Sequence, residues 1–225
     1  MPCPVRLGKD QQHGACAPCF FVIILDGLPA GWLNPVMSEQ TLPIRSVCVY
    51  CGSRSGNRPA YAEAARETGR MLARNRWRLV YGAGDVGLMG ETARAAMAAG
   101  AEALGVIPAH LVSREAGKRD LSAFVVTETM HERKKVMFMN SDAILVLPGG
   151  GGSLDEFFEV LTWRQLGLHS KPILLVNAEG YWDPLVALID RIVAEGFAEA
   201  SLRGFVTVAA DAAGAETLLA RAFGG

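Results

Sequence analysis

Neither sign of charge prevails in this 225-residue chain: Lys+Arg total 22 and Asp+Glu 23, for a net charge of -1. A broad surface for nucleic acid or acidic membrane needs an excess of cations, so no nucleic-acid partner is expected, although a local basic pocket stays open. No apolar run approaches the roughly 18 residues that a bilayer-spanning helix requires. The longest one near the start covers residues 19–25 and ends at Asp26 and Gly27. Lys9 is the one basic residue close upstream, and no small-residue cleavage site is convincing, which argues against a signal peptide. A cytoplasmic protein with no membrane partner is the expectation. Internal repeats and low-complexity tracts are missing too, and the length suits one domain with an appendage.

Cysteine is scarce and odd in number, at five. Cys16 and Cys19 form one CxxC pair, and Cys48 and Cys51 a second, a spacing that on paper suits zinc or redox chemistry. The second pair lies in a strand running into its turn, where Cys48 reads as a small core hydrophobe. Reduced thiols fit the cytosol better than a disulfide framework. No metal site is expected. Residues 1–42 hold three of the cysteines and show no clear periodicity, and Met37 would serve as a natural start just before the first strand. They read as a poorly ordered appendage, with residues 43–225 as the domain.

What is present from residue 44 onward is regular alternation. Apolar runs at 45–50, 77–81, 103–107, 124–127, 143–147, 173–176 and 205–208 read as strands. Between and after them, helical spacing predicts helices, among them 91–99, 130–140, 184–194 and 213–223, and one lined by Tyr61, Ala64, Ala65, Thr68, Met71 and Leu72. Strand–helix alternation with fully apolar strands implies an α/β fold: a Rossmann-like parallel sheet with helices on both faces. Ligands of such sheets bind beyond the carboxyl ends of the strands, where strand order switches. Three glycine-rich turns, at 52–56, 82–90 and 149–152, follow strands and fall on that rim.

The strongest stretch is PGGGGSLDE at 148–156. Pro148 ends the strand at 143–147, since it offers no N–H to a ladder. Gly149, Gly150, Gly151 and Gly152 let bare backbone approach a ligand, and a helix opens at Ser153 with Leu154, Phe157, Phe158 and Leu161 at helical spacing. Strand, glycine loop and helix N-terminus together present convergent N–H groups to a phosphate. Ser153-x-x-Glu156 is equally a capping box, in which serine and glutamate satisfy free backbone donors. The residues alone support both readings of Glu156.

Two further stretches bear on the rim. The turn from Gly82 through Gly84 to Gly87 matches the dinucleotide fingerprint, but the acidic residue wanted about 20 positions on is absent: Gly105, Val106 and Ile107 stand there. Met130, His131, Glu132, Arg133, Lys134 and Lys135 pack charge into the start of a helix. Such a run commonly forms a solvated face. Because this helix directly precedes the strand at 143–147, a cation from it could also reach the mouth of the glycine loop, and arginine suits bidentate anion contacts.

In these blocks the chain resembles the LOG ("lonely guy") family of cytokinin riboside 5′-monophosphate phosphoribohydrolases, often labelled lysine decarboxylase-like. MHERK at 130–134 followed by PGGGGSLDE matches its PGGxGTxxE pattern, with Ser153 in place of threonine. YGAGDVGLMG at 81–90 is similar to its YGGGxxGLMG turn, with Ala83 replacing a glycine, and YCGS at 50–53, GVIP at 105–108 and LTWRQLG at 161–167 also match. The resemblance runs from about residue 44 to 210 and leaves out the first 42.

The resemblance implies an enzyme, an N-glycosidase that hydrolyses N6-substituted adenosine 5′-monophosphates or AMP to free base and ribose 5-phosphate. It implies catalytic roles for Arg133 and Glu156, and no cofactor. The phosphate and substrate would be held by Gly149, Gly150, Gly151, Gly152 and Ser153, with Lys134, Gly52, Ser53 and Gly84 around them. Met130 and Met137 are candidates for the pocket of the base or a prenyl group, and a homodimer is implied. The partner is then a small-molecule nucleotide monophosphate. A decarboxylase using pyridoxal would need a Schiff-base lysine, and the resemblance points to none. Two alternatives stand beside this reading: a nucleotide-binding sensor without hydrolysis, and an NAD(P)-dependent oxidoreductase built on the turn at 82–87.

Deleting residues 1–36 is expected to leave folding and nucleotide turnover intact, as read by thermal melting and base release. An insoluble or inactive truncation would place the boundary elsewhere, and loss of stoichiometric zinc on truncation would restore the paired CxxC reading.

Overall fold

A computed structural model of the protein describes residues 44–112 and 122–224. The appendage expected at 1–42, with Cys16 and Cys19, lies outside the described residues. Seven strands and seven helices follow in chain order: β1 Ser46–Tyr50, α1 Pro59–Arg74, β2 Arg78–Tyr81, α2 Gly87–Ala98, β3 Ala103–Pro108, β4 Ala123–Thr127, α3 Met130–Met139, β5 Ala143–Val146, α4 Gly151–Gln165, β6 Ile173–Val176, α5 Asp183–Ala194, the single turn α6 Ser201–Gly204, β7 Val206–Ala209 and α7 Ala212–Ala222.

The strands form one parallel sheet in the order β4-β3-β2-β1-β5-β6-β7. The chain builds outward from β1 to β4, then returns to lay β5 against the other side of β1, with Val47 beside Ala143 and Tyr50 beside Val146. Connections from β1 and β5 therefore leave toward opposite faces. The gap between them is the switch point where open α/β sheets bind ligands. It is framed by the loop starting at Cys51 and the glycine loop starting at Leu147.

Apolar strands are explained by burial on both faces. Along β1, Val47, Val49 and Cys51 point to a core layer with Tyr61, Met71, Leu88 and Leu219, contributed by α1, α2 and α7. Cys48 and Tyr50 point to the other layer, with Met137, Phe157, Leu161 and Ile189 from α3, α4 and α5. Each large aliphatic side chain so buried contributes about 1.5–3 kcal/mol. The alternation settles the second CxxC pair, because Cys48 and Cys51 sit on opposite faces of the sheet and cannot share a metal or a disulfide. Among the described residues no group of three His, Cys, Asp or Glu could hold a metal ion, and no helix is long and apolar enough to cross a membrane.

Boundaries move in a few places. α2 begins at Gly87, four residues ahead of the expected start, because Leu88 and Met89 donate their N–H groups to the Gly52 carbonyl at 3.0 and 3.3 Å and so cap the helix from outside. α4 begins at Gly151 instead of Ser153, and β3 takes in Pro108, one residue beyond the expected 103–107. β4, the sheet edge, leaves Phe124 and Val126 exposed.

The α1–α2 contact depends on a missing side chain. A Cβ at Gly69 would lie 2.4 Å from the Thr92 carbonyl oxygen and 2.7 Å from the Ala96 nitrogen. Both are backbone atoms that cannot swing aside. Gly69→Ala is expected to lower the Tm by a few degrees, since overpacking at about 1–3 kcal/mol outweighs the ~1 kcal/mol alanine normally gains in a helix. An unchanged melting curve would show that the two helices separate at no cost.

Candidate active site

At the switch point the loop after β1, the start of α2, the start of α3 and the glycine loop enclose a cavity of about 530 Å³. Its wall includes Gly52, Ser53, Arg54, Met89, Met130, Arg133, Pro148 to Ser153, Glu156 and Tyr181. That is ample for a nucleotide-sized ligand.

The glycine loop supplies the donors. Gly150 caps α4 in an extended conformation with no side-chain bond, so Gly151, Gly152 and Ser153 fill the first helical positions. Helix geometry leaves these N–H groups without intrahelical acceptors. Leu154 is the first to bond back, to the Gly150 carbonyl at 3.1 Å. The N–H groups of Gly151, Gly152 and Ser153 have no protein acceptor among the described residues, and the helix dipole adds positive potential there. Methyl groups at Gly150, Gly151 or Gly152 would meet nothing within 4 Å, so packing does not explain these glycines. Gly149 differs: its Cβ would lie 2.1 Å from Ser153 Oγ. The alternative reading of Ser153 and Glu156 as a capping box is not met, since Gly150 is the cap residue of α4. The same spacing caps α3 instead, where Thr129 Oγ1 accepts the Glu132 N–H at 3.2 Å and Glu132 accepts the N–H of Glu128, one residue ahead of the cap, at 2.9 Å.

Arg133 and Glu156 meet this cavity from facing helices. Arg133 is only 5% exposed, yet no carboxylate pairs with it among the described residues. Its Nη2 donates to the Gly82 carbonyl at 2.8 Å, its Nη1 faces Met130 Sδ at 3.8 Å, and its Nε has no partner. A buried guanidinium so poorly neutralised is costly unless an anion comes to it. Gly82 exists for this contact, since a Cβ there would stand 1.9 Å from Nη2. Glu156 is half-buried, and burial pushes its carboxyl up to about 7, against the pull of Arg133 and with the push of Asp155. It can therefore hold or release a proton near neutral pH.

Other expected site residues fall elsewhere. Lys134 does not line the cavity. It is buried and bridges α3 to α4, with Nζ 3.0 Å from Asp155 and 3.2 Å from Glu159. Burial opposes its charge, but these two carboxylates outweigh that and raise its pKa. Met137 is 1% exposed in the core beneath the sheet, so it is not a pocket residue, whereas Met130 is one. Gly52 and Ser53 line the cavity and Gly84 does not. The dinucleotide turn is already committed: the Leu88 and Met89 amides are taken by Gly52, and a Cβ at Gly87 would lie 2.3 Å from the Ser53 backbone. Arg54, Met89 and Tyr181 escaped the sequence reading. Arg54 lay inside a glycine-rich turn already singled out, but Tyr181 carries no local signal. Cys51 also lines the cavity, where burial holds its thiol well above the usual range and therefore protonated.

A model of the family described as "Possible lysine decarboxylase" matches residues 89–219. Cytokinin riboside 5′-monophosphate phosphoribohydrolase LOG2 of Arabidopsis thaliana is 41% identical over 176 residues, covering 78% of this chain and 83% of its own. LOG7 of the same plant is 43% identical, covering 78% and 81%. The solved structure of the molybdenum cofactor carrier protein from Chlamydomonas reinhardtii superposes with a TM-score of 0.63 at 21% identity, covering 81% of this chain and 99% of that one. At that identity the likeness shows the fold alone.

The raised pKa of Glu156 has a stability consequence. Between its ordinary value of 4.5 and about 7, the folded protein keeps a proton that the unfolded chain has lost. The resulting stabilisation is whole below pH 4.5 and is lost as pH rises through about 7. Glu156→Gln, which cannot ionise, is expected to melt above the wild type at pH 8 and to converge on it toward pH 4.5. A difference in Tm that stays constant across that range would show that the carboxyl is not held out of water.

Proposed function

The chain belongs to the family of cytokinin riboside 5′-monophosphate phosphoribohydrolases, and from that premise we propose that it cleaves the N-glycosidic bond of adenosine 5′-monophosphates, N6-substituted or plain. The observation that supports this most is the meeting, in one cavity, of uncommitted helix N-terminal amides, a buried arginine without a carboxylate and a carboxyl poised near neutrality. The family description as a lysine decarboxylase does not fit these residues. A pyridoxal site needs a lysine at the reacting centre, and among the described residues no lysine lines the cavity.

The 5′-phosphate sits on the N–H groups of Gly151, Gly152 and Ser153, where dipole and donors favour a dianion. The ribose then lies over the first turn of α4, beside Glu156. As the C1′–N9 bond breaks, its electron pair leaves with the base and positive charge develops on the sugar. Ionised Glu156 stabilises that cation and orients the water that adds to C1′. The water loses a proton, and the departing base gains one. Arg133 faces the negative charge in the same cavity, with its reach set by its bond to Gly82. Met130, Met89 and Leu88 supply the apolar side that a base or its N6 substituent occupies. A cytoplasmic homodimer completes the proposal, and light scattering tests the dimer.

Incubating the purified protein with AMP, isopentenyladenosine monophosphate and adenosine, with chromatography for free base, tests the reading. Both nucleotides are expected to release base, and adenosine to show kcat/KM lower by several orders of magnitude, because phosphate binding energy is used at the reacting bond. Glu156→Gln is expected to bind AMP but lose about 10²–10³ in kcat, the usual scale for one preorganised charge. Equal turnover of adenosine would remove the phosphate cradle, and base release at normal rates by Glu156→Gln would remove the mechanism.

A further inference from the structure

Among the described residues, a single side-chain hydrogen bond is made to the backbone of the glycine loop: Tyr181 Oη donates to the Gly149 carbonyl at 2.6 Å. We infer that Tyr181 is a positioning residue that fixes the Gly149–Gly150 peptide, and thereby the direction of the Gly150 amide, which leads into the phosphate-facing amides of Gly151, Gly152 and Ser153. The inference rests on the nucleotide reading of this cavity.

The geometry follows from the peptide unit. No peptide in the described chain is cis, and across a trans peptide C=O and N–H point in opposite directions. Holding the Gly149 oxygen therefore sets the Gly150 N–H. Both residues are glycine, so neither carries a Cβ to restrict this peptide, and the space on the Gly150 side is open. Rotated, it would turn a carbonyl oxygen toward an incoming dianion in place of a donor. Attraction would become repulsion at that point, and the neighbouring amides would be pulled out of line.

Tyr181 is itself rigidly held. It follows a tight turn in which Glu179 and Gly180 take φ of 50° and 72°. Asn177 closes that turn, accepting the Trp182 N–H at 2.6 Å and donating to Asp183 at 2.7 Å. Arg58, just ahead of α1, pairs with Glu179 at 2.9 Å, and the Tyr181 ring stands edge-on to Tyr61 and Trp182, with centroids 5.4 and 4.7 Å away. The β6–α5 connection thus reaches over the switch point with a donor whose own position is fixed from three sides.

Tyr181→Phe removes the hydroxyl and keeps the ring. Calorimetric titration with ribose 5-phosphate is expected to show Kd raised about tenfold or more, the scale of one lost hydrogen bond plus a misdirected dipole. Adenine, which lacks the phosphate, is expected to bind the variant within twofold of wild type. In ¹H–¹⁵N spectra the Gly150 amide is expected to shift or broaden, while Tyr61→Phe leaves both ligands and that resonance unchanged. Wild-type affinity for ribose 5-phosphate in Tyr181→Phe would overturn the assignment, as would an equal loss for adenine, which would mean a general distortion of the cavity. If the wild type itself binds no ribose 5-phosphate and releases no base from AMP, the nucleotide reading falls and takes the assignment with it. Binding by the wild type with an indifferent Tyr181→Phe removes the tyrosine alone.

Discussion

Lys134 ties α3 to α4 through Asp155 and Glu159, and its sequence neighbours inherit their positions from that bond. Adjacent helical residues point about 100° apart, so a helix that presents Lys134 to α4 presents Arg133 to the cavity. On the other side, Asp155 receives the ammonium and Glu156 turns inward. The arginine and the glutamate need no ion pair with each other to be held at a defined separation. The lysine side chain is only 7% exposed and is held by two carboxylates at once, of which Glu159 is 22% exposed and Asp155 61%. The tie is therefore stiff, and it leaves Arg133 free of the carboxylate that would otherwise neutralise it.

The same tie explains where the sequence was legible and where it was not. Alternating apolar runs showed the parallel sheet and its helices, because strands buried on both faces cannot be written in any other alphabet. The glycine loop was legible because four consecutive glycines exceed what packing or capping needs. Helix α3 was not. Its buried side is Arg133, Lys134, Met137 and Phe138, a mixture in which charge and apolar surface share one face. A rule that sends charge to solvent or to ligand misplaces Lys134, and one that lets methionine mark a pocket misplaces Met137. Ser153-x-x-Glu156 and Thr129-x-x-Glu132 show the same limit: identical spacing, but only the second is a cap, because Gly150 already caps α4 three residues earlier.

The glycines divide by what a side chain would strike. At Gly82 it would strike Arg133, at Gly87 the backbone of Ser53 and Arg54, and at Gly149 the Ser153 hydroxyl. These three shape the protein around its own groups. Gly150, Gly151 and Gly152 meet only open cavity. A fingerprint made of the first kind resembles a dinucleotide site in letters, while its amides and its space are already spent on the protein. On the proposed function the phosphate-binding element is the other loop, whose amides at Gly151, Gly152 and Ser153 have no internal partner among the described residues. Tyr181, 32 positions from the carbonyl it holds, shows why such a loop can be recognised from sequence while its restraint cannot.

Burial links the chemistry to its cost. Water withheld from Glu156 raises its pKa to about 7, and the same withholding leaves Arg133 with an unpartnered Nε. Each feature taxes the folded state, and each becomes useful when a dianion enters. On the proposed function the phosphate would meet amides that need an acceptor, and the cavity would gain the anion that its arginine lacks. A dianion so placed would also lie near Glu156 and resist a second negative charge there, a push that Arg133 would oppose. With a carboxyl raised to about 7, small displacements of Arg133 would weigh in that contest. Those displacements are what the Gly82 carbonyl bond and the Lys134 bridge, acting on adjacent residues of α3, hold in check.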